Sequence, residues 1–328
     1  MTSLSSALPS LTGYTWRAID PDSSAASLTA LTAAADRADN NEILAVPVQR
    51  PRDLAGLDLT KIPTMSAITA DGEIAGVAWL TCEESDTEIT ATFHGCVHPA
   101  HRRQGIGAAL LRWSEAKARD LLAGQLKAIR LFIRNETLTA DARKIYAKVG
   151  FDLLFIEHVM MRRLSDPLPD HPLPQGITMR GWTTELIPDF YSVYNASFAE
   201  RPGFPHWSQA DWLDWIAGSD DFRPEFSWLA LENEQPVAFL ITDVDALEKP
   251  SRAAWITQVG SHPTSRRRGL SASLLAKAME AYRADGLEYI ALMVNDNNPK
   301  AQALYHKIGL EVFRYRGKYE KRIPHQIG

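Results

Sequence analysis

The feature that most constrains this 328-residue chain is an internal repeat. His98-Pro99, Arg102-Arg103-Gln104-Gly105-Ile106-Gly107-Ala108 and Leu110-Leu111 come first. They are answered 164 positions later by His262-Pro263, Arg266-Arg267-Arg268-Gly269-Leu270-Ser271-Ala272 and Leu274-Leu275. Farther on, Ala142, Tyr146, Lys148 and Gly150 are answered 159 positions later by Ala301, Tyr305, Lys307 and Gly309. So many matches in one order specify one fold made twice. Between the copies, Leu164 to Gly176 (LSDPLPDHPLPQG) carries four prolines, which exclude a helix or a central strand. This stretch reads as a semi-rigid linker, with one domain over 1–163 and the other over 177–328.

Each half shows the same order of elements. An amphipathic helix is expected over Ala25 to Ala38 and again over Glu185 to Phe198. Strands meet at turns at Asp71-Gly72 and Asn233-Glu234, followed by the apolar runs Ile74 to Leu80 and Val237 to Ile241. A further run, Ala91 to Val97 or Ala254 to Val259, leads into the glycine loop. Long helices follow over Gly105 to Ala123 and Gly269 to Ala284. Next come strands at Ala128 to Ile133 and Tyr289 to Val294, then a short helix carrying the tyrosine and stopped by Gly150 or Gly309. Closing strands run through Phe151 to Leu164 and Leu310 to Lys321. The fold class is α/β with a mixed sheet, twice.

Composition excludes several functions. The net charge is -5 with no long Lys/Arg run, which gives nucleic acid no footprint. No run of 18 apolar residues spans a membrane, and the N-terminus lacks the basic and apolar regions of a signal peptide. Cys82 and Cys96 stand without a Cys/His set at metal spacing, so a cytoplasmic protein without metal is expected.

The glycine loop carries the chemistry. Between a strand and a helix, successive backbone N–H groups and the free donors of the helix N-terminus make a concave anion site. Gly105 and Gly269 let a phosphate approach, and the small Gly107 and Ser271 keep the helix start open. The flanking arginines suit a diphosphate or a ribose phosphate. The loop lacks the Lys-Ser/Thr ending of a P-loop and the GxGxxG of a dinucleotide site. A capped surface turn with solvated arginines is the plainer alternative, and its double occurrence weighs against that.

Arg102-x-x-Gly105-x-Gly107 and Arg266-x-x-Gly269-x-Ser271 resemble the coenzyme A loop, Gln/Arg-x-x-Gly-x-Gly/Ala, of the GNAT superfamily of acetyl-CoA-dependent N-acyltransferases. Asn295, Asn298, Ala301, Tyr305 and Gly309 resemble the helix entrance and tyrosine of that family. The first copy has Tyr146 and Gly150 but a shifted Asn135 and Thr139 in place of the second asparagine. The paired arrangement is similar to mycothiol synthase-like two-domain acetyltransferases, which implies a catalytic C-terminal copy. Their His-Trp-Thr-Lys stretch is replaced here by Leu240-Ile241-Thr242-Asp243.

The resemblance implies acetyl-CoA as cosubstrate and a small-molecule amine as acceptor, in a monomer or homodimer. It implies cofactor contacts from Arg102, Arg103, Gln104, Gly105, Ile106 and Gly107, and from Arg266, Arg267, Arg268, Gly269, Leu270 and Ser271. Asn295, Asn298 and Ala301 join them. The pantetheine would pair with the strand edges Gly95-Cys96-Val97 and Val259-Gly260-Ser261. Tyr305 and Tyr146 take the role of general acid, because a phenol's reference pKa of about 10 exceeds a thiol's of about 8.5. Candidate bases are Glu200, directly before Arg201-Pro202-Gly203, and His94, whose counterpart is Gln258. Phe204, His206, Trp207, Trp212 and Trp215 could line an acceptor pocket or belong to the core. A non-catalytic acyl-CoA sensor or scaffold and an O-acyltransferase remain alternatives.

Overall fold

A computed structural model describes residues 8–39, 62–125, 127–201, 204, 206–244 and 253–323. By contacts the chain forms two compact units. One gathers the described residues before His158 with those from Tyr315 onward, and the other is His158–Arg314.

The first unit runs β1 (Tyr14–Arg17), α1 (Pro21–Ala38), β2 (Thr64–Thr69), β3 (Ile74–Glu84), β4 (Glu88–Val97), α2 (Ile106–Leu121), β5 (Ala128–Asn135), α3 (Ala140–Lys148) and the start of β6 (Asp152–Arg163). Its sheet is ordered β1-β2-β3-β4-β5, antiparallel except for the parallel β4–β5 pair. The strand after β5 is the C-terminal part of β12 (Glu311–Ile323), with Gly317 to Ile323 opposite Asn135 to Ile129. Helix α2 buries Ile106, Ala109, Leu110, Trp113 and Ala118, the i, i+3, i+4 stripe of an amphipathic helix. On this side of the sheet Ala91, Phe93, Leu131 and Ile133 form a core with Tyr319.

The second unit runs from the end of β6 through β7 (Ile177–Gly181), α4 (Ile187–Phe198), α5 (Gln209–Ala217), β8 (Trp228–Glu232), β9 (Gln235–Val244), β10 (Ala253–Ser261), α6 (Leu270–Ala284), β11 (Tyr289–Asn295) and α7 (Pro299–Lys307) to the start of β12. The strands are ordered β7-β8-β9-β10-β11, with only β10–β11 parallel. Asn233 and Glu234 both adopt positive φ, the geometry of a tight hairpin turn. Helix α6 buries Leu270, Leu274, Leu275, Ala278, Met279 and Tyr282 against the sheet. Helices α4 and α5 pack with Phe239 and Ile241, residues on the other face of β9.

The closing strands do not follow the linear division at 163. Val159 and Met161 of β6 pack with Tyr289 and Ala291 of the second unit. The proline stretch is not a free connector either. Leu164 N donates to Glu288 O, Ser273 Oγ donates to Pro172 O, and Leu168 and Leu173 pack against the α6 core.

Candidate active site

The two glycine loops are conformational copies. His98 and His262 have φ, ψ of -52°, 132° and -51°, 138°, and each ring accepts the amide of the residue two positions on. Arg103 and Arg267 are left-handed at φ 63° and 64°, and Gly105 and Gly269 follow at 89° and 82° as N-caps of α2 and α6. A left-handed arginine is uncommon, and its occurrence at both positions points to a shared purpose. The turn leads directly into helix N-terminal donors that have no side-chain cap, the setting in which backbone amides take up an anion.

Carboxylates latch each loop. Arg102 binds Asp39 through both Nη atoms at 2.8 and 2.9 Å, just past the end of α1. Arg266 Nη1 donates to Glu200 at 2.8 Å, just past the end of α4. Arg268 holds Glu232 on β8 by two bonds of 2.7 Å. Arg103 and Arg267 are exposed and, among the described residues, carry no ion pair. They are the loop arginines left to meet an anion.

This corrects the reading of Glu200 as a base. Its carboxyl is exposed and is held below the usual range by the Arg266 hydrogen bond and charge, so it is a poor proton acceptor. The same latch recurs in the first unit, so its purpose is to fix the loop. Pro202 and Gly203, next to it, lie outside the described residues.

The copies differ in access. A Cβ built on Gly105 would meet Leu11 at 3.5 Å, whereas one on Gly269 would meet nothing within 4 Å. Tyr14 further binds Gln104 and His101, both at 2.7 Å, so the residues ahead of β1 lie along the first loop. Ile106 and Leu270, the loops' apolar members, point into the cores. Gly107 abuts Ile145 and Val97, whereas Ser271 hydrogen-bonds Ser261 at 3.0 Å.

The parallel strands then part. Pairing of β4 with β5 ends at Phe93–Ile133, and pairing of β10 with β11 ends at Ile256–Leu292 beside a bulge in β10. Gly95-Cys96-Val97 and Val259-Gly260-Ser261 therefore lie beyond the last pairs, with edges turned to the gap. Gly95 has its own structural reason, because at φ 154° a Cβ would lie 2.3 Å from Val77 O. Gly260 lets α4 approach, since a Cβ there would meet Ser197 at 2.8 Å. Two buried polar atoms without partners border the gap of the second unit, Ser197 Oγ and Asn295 Oδ1. Such atoms suit the amides of a pantetheine arm. Asn135 Oδ1 is similarly buried without a partner.

Asn298 does a different task from the one expected. Its side chain accepts the amide of Ala301 and caps α7, as Thr139 accepts the amide of Ala142 and caps α3. The asparagine-to-threonine difference between copies is thus an exchange of caps.

Tyr305 is buried and Tyr146 half-buried, and desolvation raises both to about 12. Tyr146 accepts a hydrogen bond from Asn135 Nδ2 at 2.9 Å and lies against Tyr319. Among the described residues no hydrogen bond reaches the Tyr305 hydroxyl. His94 is stacked on Trp79 and bonded to Thr81, and burial followed by the Arg134 charge lowers it to about 4. Burial pushes Cys96 up to about 12, which leaves a neutral thiol unsuited to an acyl relay. The aromatic set divides. Trp212 is fully buried and donates to Gln258, Phe204 packs on Tyr194 and Phe198, and Trp215 is exposed against Trp207.

Asp243 escaped the sequence reading. It lies opposite Trp255 in β9–β10, one pair before the strands part, and is 3% exposed. Burial and then Asp221 raise it to about 7 against the pull of Arg223. No local pattern marks it, because a lone carboxylate ending an apolar strand looks like a surface residue. Among the described residues no three His, Cys, Asp or Glu side chains cluster as a metal site, and no helix is long and apolar enough to cross a membrane.

Comparison with known proteins agrees with this geometry. Residues 185–310 match the acetyltransferase (GNAT) family, and residues 64–153 match an acetyltransferase (GNAT) domain. The mycothiol acetyltransferase of Nocardia farcinica is 32% identical over 248 residues, covering 73% of this chain and 76% of its own. That of Salinispora arenicola is 30% identical over 258 residues, covering 77% and 79%. A GCN5-related N-acetyltransferase from Sphaerobacter thermophilus superposes with a TM-score of 0.74 at 25% identity, over 98% of each chain. A tandem GNAT protein from the clavulanic acid pathway shares the fold at a TM-score of 0.62 and 15% identity, over 95% of this chain and all of its own. Two loops of one conformation, each before parted strands and each inside a matched domain, place the chain in the GNAT family of acetyltransferases as a tandem member.

Proposed function

We propose that this protein transfers an acetyl group from acetyl-CoA to the primary amine of a small molecule, at the second copy, by direct attack on the thioester. The observation that carries the reading is the open cradle at Gly269 ahead of the gap between β10 and β11. The amides of 267–271 and the Arg267 side chain would hold the diphosphate, while the edge 259–261, Ser197 and Asn295 would hold the pantetheine. When bound, the thioester supplies the activated acyl group. The Sphaerobacter thermophilus neighbour is named an N-acetyltransferase, which supports an amine acceptor.

The chain's own residues then have two protons to handle. Tyr305, protonated throughout the neutral range, donates to the departing thiolate. Asp243 receives the proton of the incoming ammonium, directly or through water. A carboxyl near 7 is a far better acceptor at neutral pH than one near 4. The first copy, with Leu11 along its loop and Tyr146 tied to Asn135, serves as a structural or binding partner.

The test is release of free coenzyme A thiol from acetyl-CoA, measured against panels of amines and of alcohols. Thiol should appear with amines. Release only with alcohols would favour O-acylation, and release with neither would favour a sensor. The pH profile gives a second outcome. An active carboxylate raised to about 7 should make the rate climb through that pH, with an acid limb of unit slope. Asp243→Asn should remove that limb; an unchanged limb would clear Asp243 of the role.

A further inference from the structure

We propose that the first unit holds a separate oxyanion-binding site, built on Arg134, Lys318 and His94, which takes the carboxylate or phosphate group of a small molecule. It needs no acetyl transfer and stands apart from the glycine loops.

The argument starts from strand register. Arg134 on β5 and Lys318 on β12 are direct cross-strand partners in an antiparallel pair, so both side chains project from one face. Like charges placed so are destabilising unless an anion joins them. The Lys318 ammonium is further drawn over the Phe132 ring, 4.3 Å from its centroid, and is half-buried. Burial, followed by the charges of Arg134 and Arg130, holds its pKa below the usual lysine value.

Nearby carboxylates relieve this only in part: the charges of Glu320 and Glu157 pull the Lys318 pKa upward, less than burial and the two arginines push it down. Glu320 is taken by Arg130 and Arg322, and Glu88 by Arg130. Glu136 and Glu157 are taken by the buried Arg316. Among the described residues neither Arg134 nor Lys318 carries an ion pair.

Position gives the pair a purpose. Arg134 is the first residue of β5 beyond the last β4–β5 pair, and His94 is the first of β4 beyond it. The two cations and a neutral imidazole therefore border the mouth of the gap, on the face away from α2. The second unit is an internal control for what the fold itself requires. Beyond its last pair β11 carries Met293, which packs against the buried cluster of Val159, Trp255, Tyr289 and Ala291. One copy of the fold is content with an apolar surface there, so the cations of the other are a local addition.

The probes are inorganic phosphate and succinate, titrated into the full chain at constant ionic strength made up with chloride. The readout is the imidazole resonance of His94, which is local to this site and blind to phosphate on the glycine loops. A saturable shift is expected with one probe or both, and the responding probe names the class. Arg134→Gln and Lys318→Gln should each weaken the response about tenfold or more, the scale of one charge-assisted hydrogen bond. Without probe and at low salt, Lys318→Gln should melt no lower than the parent protein, because a repulsion has been removed. No shift beyond the chloride control would overturn the proposal, as would an undiminished response in Arg134→Gln. A structural role for Lys318 would instead lower the melting temperature. If either variant fails to fold, the parent titration decides alone.

Discussion

Gly269→Val is expected to remain folded and to lose at least about 100-fold in kcat/KM for acetyl-CoA. Two effects act at that position. The backbone stands at φ 82°, where a β-branched residue costs about 1–3 kcal/mol, enough to lower the melting temperature of a domain without unfolding it. The larger effect is on the ligand. A Cβ there meets no protein atom within 4 Å, so the valine would project into the space from which the diphosphate approaches. Loss of two charge-assisted amide contacts at about 1.5–3 kcal/mol each accounts for a fall of 10² or more. Gly105→Val is the matched control, with φ 89° and the same place in the repeat but with Leu11 beside it. It should lower stability by a similar amount and leave turnover nearly intact. Steady-state kinetics with thermal melts on both variants separate the two effects. Normal turnover by a folded Gly269→Val protein would remove the second loop from the mechanism.

The loops were legible because their chemistry is local. Arg-x-x-Gly encodes its turn within four residues, and the structure gives Arg103 and Arg267 the same left-handed backbone. Elements with strong periodicity, such as α2 and α6, fall within a few residues of their expected limits. What the sequence hid is mostly action at a distance. Asp39 and Glu200 lie 63 and 66 residues from the arginines they latch, and nothing near either carboxylate announces its partner. Strand β12 carries the same alternation whichever unit it joins, so its pairing with β5 could not be read from residue pattern. The proline stretch was read from its breakers, although Leu164, Leu168 and Leu173 give it an apolar side that docks on the second unit. Asn298 and Thr139 looked like a difference in cofactor grip, and only backbone geometry identifies both as helix caps.

Tyr305→Phe is expected to lower kcat by about 10²-fold or more, the usual scale for a lost general acid. Affinity for acetyl-CoA should hardly change, because the missing hydroxyl serves the leaving group. The reasoning rests on the contrast between the copies. Tyr305 and Tyr146 sit on short helices at matching repeat positions, the first buried and the second half-buried, and both are raised to about 12. Proton affinity therefore does not distinguish them, but hydrogen bonding does. The Tyr146 oxygen is held by Asn135 at 2.9 Å, whereas the Tyr305 hydroxyl has no such bond among the described residues. The Tyr305 side chain is 8% exposed and its hydroxyl keeps contact with solvent, so it is free to meet a departing thiolate. Tyr146→Phe should lose one hydrogen bond, worth about 0.5–1.5 kcal/mol of stability, with little change in turnover. Rates under saturating acetyl-CoA, with coenzyme affinity measured separately, distinguish the outcomes. Damage from Tyr146→Phe alone would assign the chemistry to the first copy. If neither substitution matters, water protonates the thiolate and both tyrosines serve packing.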